Sequence, residues 1–460
     1  MIQICREEKE KVYDAIHNGK IDAAEMSFPN LIDDIILTMK RQGLTDLLSN
    51  ALPDKRRNNL HIPLDILLCL AVTAKLKLKT SLTDVPFAVT EAELLAELGW
   101  NVWDNERGVE EGLFSESVMR KLIAKYTSEE WVNFYNCYVQ EHLLKKLDIQ
   151  PCIHILDCTK ILVNLSNDNY EESSVVKIDG ETMRGYKLGV LRGALGDSGI
   201  AEEIVFGTLK THDMEQCREM LKNTPCLHEN DILINDRGFL SRDMANYLKT
   251  ERKVDTYLPA RENMTIFQEA VKIAIASGKW HKHPNRKRKT QVIQLVTDLG
   301  PLWESDEPQK DIPINACVVH DTKTDKYFVF MTTDISKTAR QIINTYELRP
   351  EIEEDFRQMK DFWKLEDFKS TKYNYITYHI VMTLVGYLYF QIYKNLEEGK
   401  SYMGKSLPVI VKNYKETRPK AVIIYVGQYF GIFPFLEFLQ LYAECTLEVR
   451  RLLDPILAKV

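Results

Sequence analysis

The chain has 460 residues, with 45% hydrophobic and 28% charged residues and a formal net charge of −7. Its 17 Phe, 21 Tyr and 6 Trp exclude a wholly disordered chain, and 20 Gly with 16 Pro exclude a collagen-like one. The length allows two to four domains at roughly 100–200 residues each, and the acidic balance means that any nucleic-acid contact must come from a local basic patch.

Residues 1–148 read as helical, and the opening MIQICREEKEKVYDAIHNGK has no apolar signal-peptide core. Leu60–Leu78 is an apolar-rich helical run ending in Lys75, Lys77 and Lys79. Ser81-Leu-Thr-Asp84 and Thr127-Ser-Glu-Glu130 read as capping boxes, the second opening a helix over Trp131–Leu147. Residues 1–150 hold 18 basic against 24 acidic side chains, but residues 41–80 hold seven against three, including Lys55-Arg56-Arg57. Helix, turn and capped helix in a basic stretch predict either a helix-turn-helix DNA contact or a bundle with a solvated lysine face.

The texture changes at Pro151. Cys152–Leu156 predicts a short strand ending at Asp157, and Tyr186–Leu191 and Ile200–Leu209 two more strands of a meander. Met214–Asn223 predicts a helix, Asp231–Asn235 a strand running into Asp236, Ser241–Arg252 a Ser-capped helix and Asp255–Pro259 another strand. Strands in a meander and then alternating with helices predict a mixed α/β sheet. Gln291–Thr297, Ile312–His320 and Tyr327–Thr332 predict a β-rich insertion, and helical periodicity runs from Ser336 to the end. The apolar stretch Ile376–Ile392 is interrupted by Tyr378, His379 and Thr383, and reads as a buried helix, not a membrane span. Nine scattered Cys without a C-x-x-C pair predict reduced thiols, so a soluble, cytoplasmic protein is expected. The expected division is 1–148 helical, 149–262 core, 263–334 β-rich insertion, 335–395 second part of the core, and 396–460 helical.

Three acidic residues stand out. Asp157 in L-D-C-T and Asp236 in N-D-R-G-F each follow an apolar strand. A carboxylate there is costly to bury unpaired and marks either a metal or catalytic site or a cap on the next turn. The third is Glu353. At 100° per residue, Tyr346, Arg349, Glu353 and Lys360 fall at about 0°, −60°, −20° and −40° of one helix face. Such a stripe can ligate a cation and grip phosphate oxygens, or be a solvated face of ion pairs. Pro350 pushes Arg349 out of the α region and predicts a helix that starts at Pro350, with Tyr346 and Arg349 on the segment before it.

The spacing Y-x-x-R-x-x-x-E-x-x-x-x-x-x-K, filled by Tyr346, Arg349, Glu353 and Lys360, resembles the signature of the DDE transposases of bacterial insertion sequences, in the branch named for those residues. I-L-D157-C-T and I-N-D236-R-G-F resemble the family's two Asp motifs, and the long interval from 236 to 353 matches the place of its β-rich insertion. The resemblance implies an α/β, RNase H-like core and a helical DNA-end-binding region at 1–148. It implies Asp157, Asp236 and Glu353 as catalytic metal ligands, Arg349 and Lys360 as DNA-phosphate contacts, and Tyr346 as a supporting group. Three carboxylates suit two Mg²⁺ or Mn²⁺ ions. The partners implied are double-stranded DNA, at element ends and target, and a second copy as a homodimer on DNA. A stand-alone metal nuclease and a non-catalytic DNA-binding descendant are the rival readings.

Lys279–Lys289 (KWHKHPNRKRK) carries six basic and no acidic residues. Arg286, Lys287 and Arg288 are candidate phosphate contacts, with Trp280 available to stack on a base; Trp303 is a second candidate, and a solvated loop the plainer alternative. His212-Asp213 reads as a helix cap more than a proton relay, and Gly185–Gly189 as a strand beside Asp157.

Overall fold

The computed structural model describes residues 6–27, 31–57, 62–89, 95, 97–98, 112–178, 180–196, 198–303, 312–413 and 421–458. In chain order, β1 (Arg6–Glu7), α1 (Lys9–His17), β2 (Ala23–Ser27), α2 (Leu31–Arg41), α3 (Leu64–Leu76), α4 (Ser117–Ile123), α5 (Ser128–Cys137) and α6 (Leu144–Leu147) come first. Then follow β3 (Ile153–Val163), β4 (Ser174–Ile178), β5 (Glu181–Leu195), β6 (Ser198–Thr208), α7 (Asp213–Asn223), β7 (Ile232–Asn235), α8 (Arg242–Tyr247), β8 (Asp255–Pro259) and α9 (Thr265–Ser277). β9 (His281–Lys282), β10 (Gln291–Val296), β11 (Asn315–Asp321), β12 (Lys326–Thr332), α10 (Ala339–Tyr346) and α11 (Pro350–Asp361) complete the middle. The C-terminal part holds α12 (Tyr373–Asn395), α13 (Leu407–Asn413), β13 (Ala421–Val426), β14 (Tyr429–Pro434), α14 (Phe435–Glu444) and α15 (Leu447–Leu457).

The chain divides into two units, Met1–Tyr138 with Met359–Val460, and Val139–Gln358. In the first, α12 is buried along nearly its whole length and packs against α2, α3 and α5. Trp131 meets Tyr378 edge to face at 5.0 Å, and the Tyr138 and Tyr389 hydroxyls share a hydrogen bond of 2.8 Å. Among the described residues no helix is long and apolar enough to cross a membrane. The predicted capping box at Thr127 is present in full; that at Ser81 opens only a short 3₁₀ turn, where Ser81 accepts from the Thr83 N–H.

Two expectations for this unit are corrected. First, the termini are not wholly helical: β1, β14, β13 and β2 form a four-stranded sheet, in that order. Ala-Ala-Glu-Met-Ser has none of the β-branched alternation that marks a strand, and its pairing partner β13 lies almost the whole chain away. Second, α3 is no recognition helix. Twelve of its thirteen residues are buried, so it has no face to lay in a groove. Lys75 points into the interior, donating to the Lys79 carbonyl at 3.3 Å and bonding His379 Nδ1 at 3.1 Å. Lys77 pairs with buried Asp33 at 2.8 Å, and Lys55 with Glu130.

The second unit is built on a large mixed sheet in the order β4-β5-β3-β7-β8-β12-β11-β10-β9, with β6 also pairing β5. β3, β7 and β8 are parallel, and the flanking pairs antiparallel. The β-rich segment therefore does not stand apart: β12 pairs with β8 and carries the sheet onward. It is preceded by α9, whose Ile266, Phe267, Ala270 and Ala274 bury against Val318, Val329 and Met331. The predicted break at Asp157 is also absent, because β3 runs on to Val163 and pairs with β5 throughout. Thr159 and Lys160 interrupt the apolar run and hid that continuation.

Candidate active site

The parallel pairing of β3 and β7 ends at Leu156 and Asn235. Asp157, still on β3, and Asp236, just past the end of β7, are the next residues, so the sheet register sets the two carboxylates side by side. Asp157 is 9% exposed, and its Oδ1 accepts the Cys158 N–H at 2.8 Å. Asp236 precedes a short 3₁₀ turn, Arg237–Phe239, yet its side chain makes no capping bond. The plain explanation of a strand-end Asp as a cap thus does not describe it.

Arg349 draws the site together. Its Nη2 lies 2.9 Å from Asp157 Oδ2 and 3.2 Å from Asp236 Oδ2, and its Nη1 lies 2.5 Å from Glu353 Oε1. Three carboxylates from a central strand, a neighbouring strand end and a helix thus share one guanidinium. The helix α11 begins at Pro350 as the sequence predicts, with Arg349 in the turn before it and Tyr346 ending α10. Burial pushes the Asp157 carboxyl up, and although Arg349 and the Cys158 N–H oppose it, the pKa reaches about 6. Burial acts against the Arg349 charge, but the three carboxylates outweigh it and hold its pKa above the usual value. Tyr346 packs on Phe330 at 4.6 Å, and burial, with the Asp236 charge, raises its hydroxyl so that it stays a neutral phenol. Lys360, on the last turn of α11, pairs with Glu366 at 3.3 Å.

Among the described residues no group of three or more His, Cys, Asp or Glu is arranged about one ion position. The three carboxylates are instead arranged about Arg349. They offer only oxygen donors and already converge on a cation, which is the donor chemistry of a hard divalent ion.

The basic segment is anchored next to this cluster. Arg288 Nε donates to Glu347 Oε1 at 2.7 Å, and Asn285 Nδ2 donates to the same carboxylate. Glu347 directly follows α10 and lies two residues before Arg349. A cavity of about 460 Å³ opens here, lined by His283, Asn285, Arg288, Phe330, Tyr346 and Arg349 among others. Arg286 and Lys287 are exposed. Trp280 is part-buried, 5.7 Å from His320 and 6.4 Å from Tyr327. Trp303 is a core residue, 8% exposed and covered by Arg242 at 5.6 Å, so of the two candidate tryptophans Trp280 alone retains a half-open ring.

Several supporting groups have no signal in the sequence. His212 caps α7 as expected, accepting the Met214 N–H through Nδ1. Its neighbour Asp213 does more: Lys187 holds it at 2.6 Å, and a Cβ at Gly238 would meet Asp213 Oδ2 at 2.6 Å. The glycine of N-D-R-G-F is thus where this carboxylate backs the loop that carries Asp236. Arg261 fixes the same loop through the Arg237 carbonyl at 2.8 Å. Arg192 is visible in the sequence only as a lone cation inside the apolar run of β5.

No curated protein matches this chain. The model of the family described as "Transposase DDE domain" matches residues 179–389, a span that contains Asp236, Tyr346, Arg349, Glu353 and Lys360 and starts after Asp157. Residues 179–389 are thus similar to the DDE domain of transposases, and the mixed sheet, with one aspartate on a strand and one just after a neighbouring strand, both beside a helix-borne glutamate, is consistent with that similarity.

Proposed function

We propose that this protein is the transposase of an insertion sequence, cutting double-stranded DNA at the element ends and joining them to a target, with Asp157, Asp236 and Glu353 as its catalytic carboxylates. The observation that carries the reading is the convergence of those three side chains on Arg349. Mg²⁺ or Mn²⁺, two ions held by the three carboxylates, would supply activation of water or a 3′-hydroxyl and stabilisation of the leaving oxygen. Arg349 neutralises the cluster in the metal-free protein, and its planar fork suits a phosphate at the cut. The resemblance of the Tyr346–Lys360 spacing to the Tyr-Arg-Glu-Lys signature supports a second phosphate contact for Lys360 and, for Tyr346, a supporting hydrogen bond donated as a neutral phenol. Arg286, Lys287 and Arg288 grip the DNA backbone beside the site, and Trp280 offers a stacking face. The protein works as a homodimer on DNA, associated with the nucleoid when bound.

The test uses an oligonucleotide ending in the sequence that borders the gene, with and without a pre-cut 3′-hydroxyl, a target plasmid and Mg²⁺ or Mn²⁺. Joined product supports the proposal. Nicking without joining indicates a nuclease on the same core, and binding alone a descendant that has lost catalysis.

A further inference from the structure

Arg192 is an arginine inside a sheet. It lies on β5 opposite Ile155, two residues from Val190, the partner of Asp157, so its side chain leaves the sheet on the same face as Asp157. It is 3% exposed. Its Nε donates to Asp355 Oδ2 at 2.6 Å, and its Nη2 lies 2.9 Å from Glu351 Oε2. Those two carboxylates are four residues apart on α11, on one flank of its first two turns. Glu353 sits between them in sequence and, at about 100° per residue, faces the other flank, where it meets Arg349.

The sheet has a place made for this guanidinium. A Cβ on Gly199 of the neighbouring β6 would fall on Arg192 Nε and Cζ. Gly199 does not have the positive φ that favours glycine, so what its missing side chain provides is room. A buried arginine is costly unless its partners are fixed. Here the partners belong to the helix that carries the third carboxylate, and removing either side breaks the arrangement.

We infer that Arg192, in the slot left by Gly199, is a positioning residue: it clamps α11 to the sheet through Glu351 and Asp355 and so sets Glu353 against Asp157 and Asp236. This rests on the proposed role of the three carboxylates. Arg192 is almost wholly buried and bonds Glu351 and Asp355, not the three proposed catalytic carboxylates, so its loss should loosen cation binding and leave DNA binding alone.

The experiment compares Arg192→Met, Arg192→Lys and Gly199→Ala in the full chain by thermal melting, gel-shift affinity without metal, Tb³⁺ luminescence titration of the protein alone, and the Mn²⁺ dependence of nicking. For a residue that orients metal ligands, Arg192→Met should raise the half-saturating Tb³⁺ and Mn²⁺ concentrations by about 10–100-fold, with gel-shift affinity unchanged. Excess Mn²⁺ should restore part of the nicking. Arg192→Lys should recover some of the loss, since an ammonium reaches one carboxylate but cannot fork to both. Gly199→Ala should act like a milder Arg192→Met. If Arg192→Met does not fold, Gly199→Ala and Glu351→Gln, the latter at a 43% exposed side chain, carry the test in the same direction. Folded variants with wild-type Tb³⁺ and Mn²⁺ dependence overturn the clamp. Asp236→Asn separates the two ideas: if it too leaves the Tb³⁺ isotherm unchanged, the carboxylate reading itself has failed, whereas a lost isotherm beside an unmoved Arg192→Met removes the clamp alone.

Discussion

Replacing Arg349 by Met keeps much of the aliphatic stem and removes the cation that the three carboxylates share. Asp157 already carries a pKa of about 6 against an ordinary 3.8, a penalty on its ionised form of about 3 kcal/mol at 1.36 kcal/mol per unit. That is the balance with Arg349 in place, so without it the carboxyl must rise further. A carboxyl raised in the folded state favours folding below its unfolded pKa, and the benefit is lost as pH climbs through the folded value. In the wild type the loss falls between about pH 4 and 6; in the variant it extends beyond 6. The two proteins should therefore differ little at pH 5 and fully at pH 8. Removing one partner of a buried pair costs about 3–5 kcal/mol. Asp236 and Glu353 are 38% and 54% exposed and screened by water, which brings the expected loss at pH 8 down to about 2–3 kcal/mol. Urea unfolding of metal-free protein at both pH values measures it. The same variant should bind Tb³⁺ about tenfold more tightly at pH 8, a gain of about 1.4 kcal/mol, because no internal cation has to leave. Equal stability of the two proteins at pH 8, with an unchanged Tb³⁺ isotherm, would refute the idea that Arg349 is the cluster's counter-ion.

Neutralising Arg286, Lys287 and Lys289 should flatten the log–log salt dependence of DNA binding by about 0.9 for each phosphate that is no longer neutralised; an unchanged slope would make the loop merely solvated. Arg288, tied to Glu347, should contribute less to that slope than its neighbours. Lys360→Ala should weaken binding to element ends in a gel shift while some nicking persists at high protein concentration; loss of nicking with full binding would contradict a phosphate-binding role. In the first unit, burial lowers the Lys75 pKa to about 7, against the pull of Asp84 and Asp367. The unfolded chain then binds the extra proton between about pH 7 and 10.5, so wild-type stability should gain from this residue as pH rises through that window. Lys75→Met should remove that gain and stabilise the protein at pH 7 by about 1–4 kcal/mol, read from melting or urea curves at pH 7 and 10.

The residues proposed for the chemistry were legible because their local patterns are unusual. An Asp closing a short apolar run is conspicuous twice over, even though β3 continues past Asp157, and the Tyr346-to-Lys360 spacing defines one stripe. Even the break that Pro350 imposes on that stripe could be read, since a proline fixes the first helical position whatever surrounds it. What escaped depends on pairings distant in sequence. β2 becomes a strand because β13 pairs with it, and nothing in Ala23–Ser27 announces that. Lys75, Lys77 and Lys79 looked like a DNA-facing stripe, yet a helix apolar on all sides must be buried: Lys75 goes in with it and Lys77 is drawn to buried Asp33, which leaves Lys79 alone exposed. The same holds for the supports of the site. Arg192, the Lys187–Asp213 pair and Glu347 acquire meaning only from partners on other elements. Gly199 and Gly238 are informative only once the side chain that fills the space is known.

The joint action of Asp157, Asp236 and Glu353 as the catalytic carboxylates is what the proposed function depends on. It is tested most directly by metal-dependent nicking of an element-end duplex, with gel-shift affinity measured on the same preparations of Asp157→Asn, Asp236→Asn and Glu353→Gln. Each substitution keeps size and polarity and removes one negative charge. All three should abolish nicking in Mg²⁺ and in Mn²⁺ while DNA affinity is unchanged or slightly higher, because the cluster repels phosphate less. Wild-type nicking by any one of the three would contradict that joint action and return that residue to a purely structural place in the sheet or helix.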